Sequence, residues 1–256
     1  MIGKLKSIVL TGSTGKLGQN LVKGFIENNY SLILISRNAN KTLDLFKDYK
    51  EHITVIQADL SSRGDIKRAC DLIKKNKRNI FGLVNNAAVD IDQNMLDVSS
   101  DDFQYLLNVN LYAPYYLCKY LIPLFIENEE GVIVNVSSNL SMRSTANATE
   151  YTISKAGLDS LTRSIAVQYG PLGLRANSIN ISGMRGFTLK VNEILSSRNP
   201  KDVAYDDWKI SQDKIPLRRR GAFSEFVDTI IFLCSDKASY INGVNLPVDG
   251  GSLSQI

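Results

Sequence analysis

A chain of 256 residues, 44% hydrophobic and 22% charged, has the make-up of a globular protein with one large core. No apolar run approaches the roughly 18 residues a membrane-spanning helix needs, and the stretch after the first lysines is too short for a signal peptide, so a cytoplasmic protein away from membranes is expected. A net charge of +4, three scattered cysteines and the single histidine His52 argue against a nucleic-acid surface, a disulfide framework, a metal site and most Ser-His schemes.

Short runs rich in Val and Ile recur at residues 7–11, 31–36, 53–57, 82–84, 131–136, 176–181 and 244–248, separated by segments of helical spacing. Continuous apolar runs are what parallel strands show when helices cover both faces. The predicted fold is therefore α/β, a doubly wound Rossmann-type parallel sheet of seven strands with helices on both faces. No linker or repeat divides the chain, so residues 1–256 are expected to form a single domain.

The first strand runs into Thr11-Gly12-Ser13-Thr14-Gly15-Lys16-Leu17-Gly18 and then a helical pattern. Glycines at a strand-to-helix turn let a pyrophosphate approach the backbone and meet the helix amides. About twenty residues further on, a NAD site places an acid against the ribose 2′-hydroxyl; here the second strand delivers Ser36-Arg37-Asn38 instead. Arg37, helped by Lys16, suits the 2′-phosphate of NADP, so NADP(H) is expected in preference to NAD(H), which stays possible. Asp59, after the third strand, either accepts from the adenine amino group or caps the next helix.

Residues 106–125 and 158–169 read as long helices with more apolar surface than one core face accommodates, including Tyr112, Tyr115, Tyr116 and Tyr120. A homodimer or homotetramer built through them is expected. The fifth strand ends in Asn135-Val136-Ser137-Ser138, at the sheet edge where open α/β folds bind ligands. Tyr151 and Lys155 follow at i, i+4, on one helix face. A phenol of pKa about 10 is a poor base, and a fixed ammonium nearby should lower that value. Residues 183–216 break the rhythm and read as a substrate-covering loop. Arg218-Arg219-Arg220 reads as a solvated loop. Ser138, Asn139, Leu140, Tyr151, Met184 and Trp208 are expected to shape the substrate pocket.

The ordered series resembles the short-chain dehydrogenase/reductase family in its compact subclass, similar to 3-oxoacyl-ACP-reductase-like members. It runs from the glycine turn through Asn85-Asn86-Ala87-Ala88, Asn110, Ser138, Tyr151 with Lys155, to Val248-Asp249-Gly250-Gly251. The resemblance implies a nicotinamide-dependent enzyme interconverting a small-molecule carbonyl and alcohol. In it Tyr151 carries the proton, Ser138 polarises the carbonyl, Lys155 grips the nicotinamide ribose and Asn110 orders a water that links Lys155 to solvent. It also implies cofactor contacts at Leu60, Asn86, Ala87, Gly183 and Met184. A dinucleotide-binding regulator without turnover is the alternative on the same fold. Three departures stand out: Lys16 takes the place of a glycine, Ala88 replaces another, and Ile181-Ser182-Gly183 stands where Pro-Gly is customary. Ala88 should be tolerated provided its φ is not positive.

Overall fold

The computed structural model describes residues 5–75, 79–182, 184 and 215–254. Strands β1 (Lys6–Thr11), β2 (Ser31–Ser36), β3 (Ile53–Gln57), β4 (Asn79–Asn85), β5 (Gly131–Ser138), β6 (Leu174–Ile181) and β7 (Asn245–Val248) form one parallel sheet in the order β3-β2-β1-β4-β5-β6-β7. Each apolar run expected to be a strand is one. The interior strand β5 is buried at every position, which requires cover on both faces.

That cover comes from α1 (Lys16–Glu27), α2 (Ala39–Leu45), α3 (Arg63–Lys75), α4 (Ser100–Leu107), α5 (Ala113–Glu127), α6 (Thr149–Tyr169) and α7 (Phe223–Cys234). Alternate strand residues point to opposite faces, and two cores result. Val9, Ile33, Leu83 and Ile133 pack with Ile73 of α3, Leu121 of α5 and Ile165 of α6. Ile8, Leu10, Leu34 and Val134 pack with Phe25 of α1 and Phe226 of α7. Cys70, Cys118 and Cys234 are buried and unpaired, and burial pushes each thiol up to about 12. Among the described residues, no helix is long and apolar enough to cross a membrane.

Two local findings depart from the sequence reading. The helix expected through residues 106–125 is divided into α4 and α5 by a π turn, Asn108–Tyr112, in which the Ala113 amide bonds five residues back to the Asn108 carbonyl. Pro114 has no N–H, so the carbonyl of Asn110, four residues before it, lacks its α-helical donor and the ladder widens there. Single π turns of this kind gather at functional sites. Secondly, Arg219 is not simply solvated. Its guanidinium makes two 2.7 Å bonds to the Glu225 carboxylate, which also accepts the Ala222 amide at 2.8 Å. Arg219 thus clamps the start of α7.

Candidate active site

The strand order reverses between β1 and β4, and their ends are stitched together. The Thr11 hydroxyl accepts the amides of Asn86 and Ala87, each at 3.0 Å. The Asn86 side chain donates back to the carbonyls of Thr11 and Gly12, at 3.2 and 3.0 Å. Ala88 is not among the residues of positive φ, which is why alanine serves where the family pattern has glycine. A cleft of about 740 Å³ opens along this edge, at the carboxyl ends of the strands, where open parallel sheets take ligands.

The three glycines of the turn have different reasons to be there. Gly12 has φ +68°, and a Cβ on it would lie 2.7 Å from the Ala87 Cα; a Cβ on Gly18 would lie 2.0 Å from the Gly12 carbonyl oxygen. Packing alone demands both. A Cβ on Gly15 would meet nothing nearer than 3.6 Å, so its smallness keeps space open. Gly15 is also the N-cap of α1 and has no side-chain cap, so the first-turn amides need another acceptor. Beside them the buried Ser13 hydroxyl has no hydrogen-bond partner. An open cradle, uncapped amides and an orphaned hydroxyl fit the pyrophosphate of a dinucleotide.

Residues 12–18 line the cleft, as do Arg37, Asp59 and Leu60, then Asn86 and Ala87, and finally Tyr151, Lys155 and Met184. Gly183 lies outside the described residues, as do Trp208 and most of the loop expected at 183–216. Asp59 does not cap α3. One of its carboxylate oxygens accepts from the amide and hydroxyl of Ser61, at 2.8 and 2.9 Å. Lys41 also lines the cleft, and the sequence reading missed it. The signal was available: Asn38 caps α2 by accepting the Lys41 amide at 2.9 Å, which sets Lys41 in the first turn, four residues beyond Arg37.

Tyr151 and Lys155 share one face of α6, with the Lys155 Nζ 5.5 Å from the centre of the Tyr151 ring. Lys155 is buried, and its ammonium donates to the Val136 carbonyl of β5 at 2.9 Å. The expectation that this ammonium pulls the phenol down needs correction. Burial, reinforced by the Asp90 carboxylate, holds Tyr151 well above its ordinary value, and the hydrogen bond with Ser138 opposes this only partly. The Lys155 cation stands over the ring face, and the phenol's shift is set by desolvation, Asp90 and Ser138. Burial likewise lowers Lys155 to about 8, against the opposing pull of Asp159 and Asp90.

Asn110 is buried in the π turn. Its side-chain oxygen accepts the Val89 amide and its NH2 donates to the Val89 carbonyl, both at 2.8 Å, with a further 3.2 Å bond to Ser154. Its side chain therefore fixes the loop after β4 to α6. Ser138 ends β5, and its hydroxyl accepts the Leu140 amide at 3.2 Å. Asn139 does not face the cleft as expected. It is buried and donates to the Asp249 carboxylate at 2.9 Å, which also accepts the amides of Gly251 and Leu253 and so ties the end of β5 to the turn after β7. Leu140 is half-buried beside it and is not part of the cleft wall.

A model of a protein family described as enoyl-(acyl carrier protein) reductase matches residues 13–252. The oxidoreductase UcpA of Salmonella typhimurium is 31% identical over 98% of this chain and 96% of its own. Among solved structures, the 3-ketoacyl-(acyl-carrier-protein) reductase of Brucella melitensis, complexed with NADH, superposes with a TM-score of 0.83 at 27% identity, covering 96% of this chain and 98% of that one. A gluconate 5-dehydrogenase of Burkholderia cenocepacia, in complex with NADP and tartrate, superposes at 0.87 with 24% identity over 98% and 96% of the two chains, a likeness of fold.

Proposed function

Because the chain belongs to the short-chain dehydrogenase/reductase family, we propose that it is an NADPH-dependent reductase converting a ketone to a secondary alcohol, with Tyr151 as proton donor. The observation that carries this reading is a convergence: the glycine turn, a basic pair and the Tyr151–Lys155 pair all line one cleft. The relatives with NADP and NADH support a nicotinamide dinucleotide, which when bound supplies the hydride.

Residues 12–18 with the amides of α1 would hold its phosphates, and Arg37 with Lys41 would meet a 2′-phosphate. Leu60 and Asp59 would flank the adenine, and Asn86, Ala87 and Met184 the nicotinamide end. Tyr151, whose hydroxyl also bonds with Ser138, would hand its proton to the substrate oxygen in the reductive direction. Ser138 would hydrogen-bond the substrate oxygen as negative charge develops on it. Lys155 would keep positive charge beside the phenol and the ribose.

Replacing Tyr151 by Phe should lower kcat on a responsive ketone by about two orders of magnitude or more while NADPH still quenches protein fluorescence. Near-normal turnover in Tyr151→Phe would remove the phenol from the mechanism. Absence of turnover by the unaltered protein across a broad ketone panel would favour a dinucleotide-binding regulator instead.

Exposed Tyr112 of the π turn, Tyr115 of α5, and Ile153 and Val167 of α6 support self-association through this surface. Sedimentation at micromolar concentration should give a dimer or tetramer, and a 28.4 kDa species alone would refute it. Three unpaired buried thiols support a reducing, cytoplasmic setting.

A further inference from the structure

Asp159 lies one helical turn beyond Lys155, so that Tyr151, Lys155 and Asp159 form an i, i+4, i+8 row on α6. Its carboxylate is buried, only 3% exposed, and no motif in the sequence drew attention to it. A buried carboxylate is costly unless it is hydrogen-bonded and faces a positive charge. Both conditions are met. One oxygen accepts from the Ser178 hydroxyl at 2.9 Å and the other from the Asn180 side chain at 2.7 Å. The charge it faces is the Lys155 ammonium.

The second bond leads back to the reaction site. Asn180, fully buried in β6, shares its NH2 group between Asp159, the Ser141 hydroxyl at 2.6 Å and the Ser138 carbonyl at 3.1 Å. A continuous path thus runs from the helix that carries Tyr151 and Lys155, through the neighbouring strand, to the backbone of Ser138. We propose that Asp159 is a positioning residue for the reduction. Its carboxylate supplies Lys155 with a counter-charge and, through Asn180, fixes Ser138 relative to the Tyr151 face of α6. The proposal rests on the functional reading given above.

Asp159 does not act on Lys155 alone. Asp90, in the loop after β4, is the other carboxylate that bears on the ammonium. From β5 only the uncharged Val136 carbonyl contacts it, and Tyr151 is its ionisable neighbour on α6. The two carboxylates differ in setting: Asp159 is held by Ser178 and Asn180, whereas Asp90 lies in an exposed loop, accepts the neighbouring Ile91 amide at 2.9 Å, and is raised by the partial desolvation of its carboxyl.

The test separates charge from tether. Asp159→Asn keeps the shape and the bonds, since the amide oxygen can accept from Asn180 and its NH2 can donate to the Ser178 hydroxyl. Only the charge is lost. Asn180→Ala removes the tether and keeps the charge. Lysine labelled with 13C at Cε, titrated by NMR in the whole protein, should show Lys155 ionising about 1 pH unit lower in Asp159→Asn than in wild type. The alkaline limb of the kcat profile should move with it. Asn180→Ala should leave that NMR midpoint in place and lower kcat on the order of tenfold, with the affinity for NADPH unchanged. Asp159→Glu should restore the Lys155 midpoint.

An unmoved Lys155 midpoint in Asp159→Asn overturns the proposal, as does wild-type kcat in Asn180→Ala. Should Asp159→Asn fail to fold, Asn180→Ala decides by the same criterion. If the wild type reduces no carbonyl, the functional reading fails, whereas the NMR comparison still decides whether Asp159 governs Lys155.

Discussion

Arg37 and Lys41 show how much of a site a single residue type can announce. An arginine where a NAD site carries an acid points to a 2′-phosphate, and the structure adds a second cation to the same cleft. Arg37→Ala should raise the KM for NADPH about tenfold, the order expected for a lost charge-assisted contact, and leave the KM for NADH nearly unchanged. Equal losses for both cofactors in steady-state kinetics would disprove a 2′-phosphate role. Tyr151 and Lys155 were legible as a pair because i, i+4 spacing fixes their common face. The sign of the phenol's shift was not, because it depends on how deeply the ring is buried and on Asp90, sixty-one positions earlier in the chain.

At the level of elements, the glycine turn separates what folding needs from what binding needs. Gly18→Ala drives a Cβ to within 2.0 Å of the Gly12 carbonyl and should destabilise the protein by about 1–3 kcal/mol in urea unfolding, the usual cost of overpacking. Gly15→Ala has room. It should leave urea stability within about 0.5 kcal/mol of wild type while weakening cofactor binding, and the reverse pattern would show that the roles are misassigned. The strands were legible because parallel burial writes itself as continuous Val and Ile. The division of the long helix at Asn108–Tyr112 was written less openly, in Pro114 alone. Asn139 was misread because its position after Ser138 suggested the pocket, while its partner Asp249 comes from the far end of the chain.

For the molecule as a whole, buried and half-buried ionisable groups set the alkaline limit. Cys70, Cys118 and Cys234 rise from 9.0 to about 12 on folding, and Tyr30 rises from 10.0 to about 12. Between those values the unfolded chain has given up protons that the folded one still holds, so stability falls as pH rises from about 9 to 12. Lys155 has the opposite sign: lowered from 10.5 to about 8, it leaves the unfolded chain holding the extra proton across that interval and adds stability as pH rises. Four groups outweigh one. Thermal midpoints followed by circular dichroism should therefore decline above pH 9, and a midpoint climbing from pH 9 to 11 would contradict this balance.

The sequence by itself determined the strand and helix series, the glycine turn, the preference for a cation after β2 and the pairing of Tyr151 with Lys155. All of these are local, since a period, a turn or a spacing along one helix specifies them. The tertiary structure decided which side chains face the cleft and which are spent on packing, how burial shifts Tyr151 and Lys155, and that Asp159 reaches Ser138 through Asn180. Such relations depend on desolvation and on hydrogen bonds between segments brought together only when the sheet forms, and no window of sequence contains them.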